Sequence, residues 1–203
     1  MSVARGACIG HSRGMVIEVR PATEFADVKT MVGPKRADAN VCWCLSYRIP
    51  NRENRELSGT ARGERVRQLM AEGPPGVLAY DGDEVVGWAA VHPRAGTSFA
   101  TNRKIPHVGD ADVWSVWCIR VRPGHRGRGI SHALLQGAVD FARASGARVL
   151  EGYPVDNQGK RVDLTMAYVG TQSLFEKAGF HKAADTKSVL NGFPRVLMQM
   201  NLD

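Results

Sequence analysis

Arginine and glycine residues are concentrated in one short segment of this chain. Four arginines fall within nine residues (Arg120, Arg122, Arg126 and Arg128), and Gly127 and Gly129 alternate with the last two. The backbone N–H groups in the first turn of a helix have no partner inside it, and the helix dipole favours negative charge there. Glycines in such a turn let a phosphate approach the backbone closely. If a helix follows, the segment therefore predicts a binding site for a phosphate or pyrophosphate.

The elements on either side of this turn have to position it. Residues 113–121 form an apolar run typical of a buried central strand, and strict alternation places Trp117, Ile119 and Val121 on one face. Apolar residues then recur at helical spacing from Ile130, and Gly146 ends that helix. Residues 147–153 predict another strand. The order strand, helix, strand predicts a parallel crossover unit.

The rest of the chain predicts an α/β scaffold around this unit. Strands are expected at residues 16–20 and in a hairpin around Gly82, and a second hairpin turns at Asn191–Gly192. Shorter helices are predicted after Thr23, at 61–72 and before Gly179. Three polar or irregular segments, 34–60, 93–112 and 156–167, connect these elements and are expected to shape a ligand site.

Length and composition narrow the class of protein. The chain has 203 residues and a net charge of +7, and 43% of its residues are hydrophobic. We expect a single domain over 15–203, with residues 1–14 a tail or an overlong start. No apolar run approaches the ~20 residues of a membrane span, so a cytoplasmic protein without a membrane partner is predicted. The charge favours an acidic partner, and nucleic acid or a phosphorylated cofactor both fit.

Three of the four cysteines raise the hypothesis of a metal site, but their spacing argues against it. Cys42 and Cys44 have the spacing C-x-C, Cys118 lies on the predicted central strand, and no fourth ligand is evident. Zinc sites usually use pairs two to four residues apart. We therefore predict buried, reduced thiols, which agrees with a reducing compartment, and no metal site.

Two common phosphate-binding motifs are absent from the sequence. It contains no G-x-x-x-x-G-K-[ST], and no G-x-G-x-x-G follows a predicted strand. The segment Arg126–Ser131 instead resembles motif A of the GNAT superfamily of acetyl-CoA-dependent N-acetyltransferases, Q/R-x-x-G-x-G/A, with Ser131 at a position usually held by Gly or Ala. A second segment, Leu174–Phe180, resembles the family's L-Y-E-K-x-G-F. Here Phe175 stands where the family often has tyrosine.

The resemblance implies a fold and a cofactor, acetyl-CoA. The fold is a mixed, mostly antiparallel sheet of about seven strands flanked by helices, in which one parallel strand pair splays apart. The N–H groups of 126–131 would hold the pyrophosphate, and Ile119 and Val121 would pair with the pantetheine arm. The implied cofactor-binding residues are Ile119, Arg120, Val121, Arg126, Gly127, Arg128, Gly129, Ile130, Ser131 and Phe175.

The resemblance also implies the reaction, in which a primary amine attacks the thioester directly without a metal. An alkylamine has a pKa near ~10, so a base must accept a proton. Glu151, Asp112 and Asp156 are the candidate bases. Tyr168 could replace the family's tyrosine as the acid that protonates the thiolate. A small amine is the first expectation for the acceptor and a protein amine the second, and a homodimer fits the family.

Two alternative functions stay open. Phe175 fits a domain that binds acyl-CoA as a regulator without catalysis. The positive charge fits a nucleic-acid-binding domain. However, the arginine cluster is confined to one turn and no nucleic-acid-binding motif occurs, so the sequence favours this hypothesis less than the regulatory one.

Overall fold

The computed structural model describes residues 16–36, 39–109, 112–163 and 167–203. The tail predicted for residues 1–14 lies outside them. The described residues contain a seven-stranded sheet in the order β1-β2-β3-β4-β5-β7-β6, in which β4 and β5 are parallel and the other neighbours antiparallel. The predicted mixed sheet with one parallel pair is thus confirmed. Its strands are β1 (Ile17–Pro21), β2 (Gly76–Asp81), β3 (Glu84–Pro93), β4 (Val113–Val121), β5 (Val149–Gly152), β6 (His181–Leu190) and β7 (Phe193–Asn201).

Helices pack on both faces of this sheet. The described part of the chain contains the α-helices α1 (Phe25–Val32), α2 (Asn51–Glu56), α3 (Thr60–Glu72), α4 (Ile130–Ala144) and α5 (Gln172–Lys177). The apolar stripe of α4, which includes Ile130, Leu134 and Leu135, is buried against one face, and α1 and α3 contribute to a second core on the other. Complete burial of each such leucine or isoleucine stabilises the fold by roughly 1.5–3 kcal/mol.

The irregular segment 34–60 holds more structure than its sequence indicates. It contains a short 3-10 helix, Leu45–Tyr47, and α2. Helix α2 has no buried residue, so it lacks the apolar periodicity by which a helix is recognised in sequence. The loops predicted at 93–112 also contain two 3-10 helices, Arg94–Gly96 and Ser98–Thr101.

Strand β4 contains a β-bulge that the sequence did not predict. Trp88 of β3 pairs with Arg120 and Ala90 pairs with Trp117, so two residues of β4 lie opposite one of β3. The bulged residue, Cys118, has a left-handed φ of +54°. The extra residue reverses the alternation, so that Ile119 packs with the α4 core while Trp117 packs in the other. The expectation that Trp117, Ile119 and Val121 share a face is wrong for this reason.

The bulge is joined covalently to the irregular segment by a disulfide between Cys118 and Cys44, which are 74 residues apart in sequence. The predicted reduced thiols are therefore wrong for these two residues. C-x-C spacing carries no information about a pairing partner so distant in sequence. Cys42 is a free, exposed thiol whose Sγ lies 2.9 Å from Ser46 Oγ.

Replacing both disulfide cysteines with alanine should lower the free energy of unfolding by about 2–4 kcal/mol, because the crosslink restricts a long loop in the unfolded chain. Chemical denaturation of the oxidised protein and the double variant measures this difference. Cys42→Ala is the matched control and should leave stability within about 0.5 kcal/mol. Equal midpoints for the double variant and the oxidised parent would contradict the crosslink.

Candidate active site

The arginine- and glycine-rich turn joins the end of β4 to the start of α4. Gly127 and Gly129 have φ values of +76° and +77°, a conformation that favours glycine, and an added Cβ at either would point into open space. Gly129 precedes α4 and supplies no side chain to cap its first N–H groups. Ser131 in the first turn is half-buried, and Ile130 inserts its side chain into the core. The backbone of this turn is therefore accessible to an anion.

The four arginines of the segment divide into two pairs. Arg122 donates to Glu84 at 2.7 Å, and Arg128 donates to Asp81 at 2.7 Å, so both hold the turn against the β2–β3 hairpin. Arg120 and Arg126 are exposed and form no ion pair with any residue that the structure describes. Their charges are the ones available to a phosphate.

The parallel strands β4 and β5 separate close to this turn. Their pairing ends at Val116 and Gly152. After β5 the chain turns toward β7. Val155 forms isolated β-bridges there, one with Arg195 of β7 and one with Thr171, which precedes α5. Among the described residues, the second half of β4, which includes Ile119 and Val121, therefore pairs with no strand on its β5 side. This gap is the opening between the two strands in which an extended chain can pair with β4.

Phe175 lies in the core beneath the opening between β4 and β5. Its ring is 0% exposed, packs on Phe180 with the ring centroids 5.0 Å apart, and occupies the space that a side chain on Gly152 would need. A left-handed Gly170 approaches it from another side. The ring thus fills the core beneath the separated strands, and its predicted contact with the cofactor stays a prediction.

Tyr168 lies beside the opening, on a 3-10 helix, Ala167–Val169, that packs against β4. Its hydroxyl is 3.5 Å from that of Tyr47, whose ring stacks on Phe99. Burial, followed by the hydrogen bond with Tyr47, raises the pKa of Tyr168 well above its usual value, and the charge of Arg195 partly opposes this. Tyr168 therefore keeps its proton through the neutral range.

Glu151 is completely buried where the strands begin to separate. Its carboxylate accepts hydrogen bonds from Arg94 Nη1 at 3.3 Å, from Gln199 Nε2 at 3.2 Å and from the hydroxyl of Tyr153. Tyr153 also bonds Ser115 at 3.0 Å. Burial, then the charge of Glu151, raises the pKa of Tyr153 far above its usual value, so this hydroxyl also stays protonated.

The other two candidate bases lie apart from Glu151. Asp112 immediately precedes β4 and is exposed, seven residues from Ile119, which is roughly 23 Å along a strand. The structure does not bring it to the opening. Asp156 lies just beyond Val155, where its carboxylate accepts from the N–H of Gln158 at 3.1 Å. Glu151 is thus the candidate base that lies where the strands separate.

Several polar residues of this region were missed in the sequence. Arg94, Tyr153 and Arg195 come from three separate parts of the chain, and none belongs to a motif. Only the strand pairing and loop packing bring them together. Among the described residues, no group of three His, Cys, Asp or Glu side chains has a metal-binding arrangement, and none of the helices could span a membrane.

Comparison with known proteins identifies the family of this site. Residues 43–180 match the family model for acetyltransferases of the GNAT family. Similar folds include a GNAT-family acetyltransferase from Bacillus cereus (TM-score 0.54, 13% identity, 92% of this chain and 97% of that one). The NatC complex bound to Gag peptide and CoA is also similar (0.53, 14%, 93% and 100%), as is yncA from Salmonella typhimurium with its cofactor acetyl-CoA (0.51, 19%, 92% and 94%). No protein of curated function matches the chain.

The seven-stranded sheet with one separating parallel pair agrees with the fold of these structures, and the family model gives the class of protein. The chain belongs to the GNAT family of acetyltransferases, enzymes of acetyl-CoA-dependent acyl transfer. The family and the enzyme class inferred from motif A are thus confirmed.

Proposed function

We propose that this enzyme transfers the acetyl group of acetyl-CoA to a primary amine of a small acceptor by direct attack on the thioester. The observation that carries the proposal is the arrangement of three parts along β4: the glycine turn at its end, the unpaired edge around Ile119, and Tyr168 beside the opening. Together they match the pyrophosphate, the pantetheine arm and the departing sulfur of one extended cofactor.

In this proposal the turn and β4 hold the cofactor. The N–H groups of Arg126 to Ser131 bind the pyrophosphate, and the exposed Arg126 and Arg120 add positive charge. The N–H of Ile119, next to the bulge, donates to the thioester oxygen and stabilises the tetrahedral intermediate. The bulge serves this purpose because it redirects the backbone at the point where the strands separate.

Two proton transfers complete the proposed reaction. Tyr168 donates its hydroxyl proton to the thiolate as the carbon–sulfur bond breaks, and its raised pKa means that this proton is present at neutral pH. The amine loses a proton toward Glu151, through the Tyr153 hydroxyl that links Glu151 to Ser115. Arg94 and Gln199 keep this carboxylate oriented in the core.

A screen of small amines and peptides with acetyl-CoA, which measures the release of free thiol, tests this function. We expect thiol release with small amines at a rate well above hydrolysis, and mass spectrometry should show addition of one acetyl group. Tight binding of acetyl-CoA without thiol release from any amine would instead support the regulatory alternative that Phe175 suggests. Preference for peptides would identify a protein amine as the acceptor.

A further inference from the structure

Arg195 is a buried cation that the family machinery does not use. It lies on β7 with 5% of its surface exposed, next to the point where Val155 crosses from β5. Its Nε donates to the carbonyl oxygen of Tyr153 at 2.7 Å. Within the part of the chain that the structure describes, neither of its two Nη groups has a hydrogen-bond or ion-pair partner.

Two other arginines of this region, Arg94 and Arg48, have their charge compensated. Arg94 pairs with Glu151 at 3.3 Å, and Arg48 donates to the carbonyl oxygen of Gly96 and lies 3.6 Å from Glu72. Charged side chains that are largely removed from water are usually paired or bind a ligand. Arg195 therefore differs from Arg94 and Arg48 in that no described carboxylate pairs with it.

Hydrogen bonds to the backbone connect Arg195 with strand β6 and the loop at Lys104. Thr186 Oγ1 donates to the carbonyl oxygen of Arg195 at 2.7 Å, and the next residue, Lys187, donates its N–H to the carbonyl oxygen of Lys104 at 2.8 Å. Neither lysine forms an ion pair with a described residue. Asp156, which follows the Val155 bridge, accepts from the Gln158 N–H and forms no ion pair with Arg195. The guanidinium of Arg195 itself attracts an anion and repels a second cation.

The position of Arg195 relates it to the reacting groups. It holds the backbone of Tyr153, whose hydroxyl leads to Glu151, and its charge is close enough to Tyr168 to act on the titration of that phenol. A ligand bound to its Nη groups would thus lie near Tyr153 and Tyr168, which are proposed to take part in the two proton transfers. The positive charge would also favour the neutral, nucleophilic form of that amine.

We infer that Arg195 binds a carboxylate of the acceptor, so that the acceptor is an amino-acid-like compound with its anionic group near the reacting amine. A planar guanidinium with both Nη groups free matches a carboxylate by two parallel hydrogen bonds. The inference rests on the proposed acetyl transfer to a small amine and names its substrate class.

Matched acceptor pairs test this inference, each pair being an L-amino acid and its carboxamide, offered with acetyl-CoA while thiol release is measured. For the preferred side chain we expect kcat/KM to be about 100-fold higher for the acid than for the amide. Arg195→Met should remove most of this advantage through KM and leave the amide within about two-fold. Arg195→Lys should restore part of it, because lysine keeps the charge without the planar pair of donors.

Arg143→Met is the matched control, because it removes one positive charge from α4, where Arg143 bonds Asp140 and the carbonyl oxygen of Leu202. It should leave both acceptors unaffected. Wild-type enzyme that uses acids and amides equally would overturn the inference. An equal loss for both acceptors in Arg195→Met, accompanied by a lower melting temperature, would also overturn it and give Arg195 a structural role.

Failure of the proposed function itself has a different signature, namely no thiol release from any acceptor. Calorimetric binding of an N-acetyl amino acid and its amide to the CoA-saturated enzyme then decides the inference without turnover. Preference for the acid that depends on Arg195 supports the carboxylate site, and equal or absent binding of the two overturns it.

Discussion

Gly129→Asp should weaken acetyl-CoA binding by at least about 100-fold, which corresponds to about 2.7 kcal/mol. A non-glycine residue at φ +77° strains the backbone by about 1–2 kcal/mol, and the added carboxylate lies at the N-terminal end of α4, where the pyrophosphate is proposed to bind. Repulsion between the two anions adds to the strain. Isothermal titration calorimetry with acetyl-CoA measures the loss, and Gly127→Asp should behave in the same way.

Gly146→Asp provides the matched control for this prediction. Gly146 follows the other end of α4 with a φ of +85° and has open space around an added Cβ, so the strain is equivalent but far from the turn. It should cost similar stability and leave the affinity for acetyl-CoA unchanged. Gly129→Ala separates strain from charge and should weaken binding only several-fold. Normal CoA affinity in Gly129→Asp would place the pyrophosphate elsewhere.

The parts of this protein that could be predicted from its sequence are the ones specified locally. The turn after β4 can be recognised from a short stretch of sequence. Its backbone requires Gly127 and Gly129, and the apolar residues recur with the period of a strand before it and of a helix after it. The Asn191–Gly192 hairpin is predictable for the same reason, since both residues adopt left-handed conformations there. From these elements the family follows, and with it the order of strands in the sheet.

The parts that could not be predicted depend on distant pairings. The bulge at Cys118 is a mismatch in register between β3 and β4, which the alternation of one strand cannot reveal. The disulfide and the approach of Tyr47 to Tyr168 join residues 74 and 121 positions apart. Nothing in the sequence distinguishes Arg195 from an exposed charged residue of a strand. In the structure it is buried, and Val155 crosses beside it. The proposed cofactor-binding part of the site can therefore be predicted from the sequence, and the proposed acceptor-binding part cannot.

Tyr168→Phe should lower kcat by about 100- to 1,000-fold and leave the dissociation constant of acetyl-CoA within about two-fold, because it removes only the proposed proton donor. Stopped-flow or steady-state thiol release and calorimetry measure the two quantities. Tyr47→Phe is the matched control, since it removes the hydroxyl that bonds Tyr168 but leaves the donor in place. It should lower kcat only several-fold.

The pH dependence of kcat gives an independent check on the same residue. A general acid must be protonated to act, so activity falls as the pH rises through its pKa. Because burial raises the pKa of Tyr168 in the folded protein, its loss of activity should begin only above about pH 10, the ordinary value for tyrosine. Tyr47→Phe removes one of the causes of that increase and should move the alkaline limb to lower pH.

Restoring the family's tyrosine should not rescue Tyr168→Phe. The ring of Phe175 is fully enclosed between Gly152, Gly170 and Phe180, so a hydroxyl added by Phe175→Tyr would be buried in the core. An unpaired buried hydroxyl costs about 1–3 kcal/mol, and we expect the double variant to be less stable and as slow as Tyr168→Phe. Full activity in the double variant would show that position 175 reaches the thioester. Unchanged kcat in Tyr168→Phe alone would transfer the role of the acid to solvent.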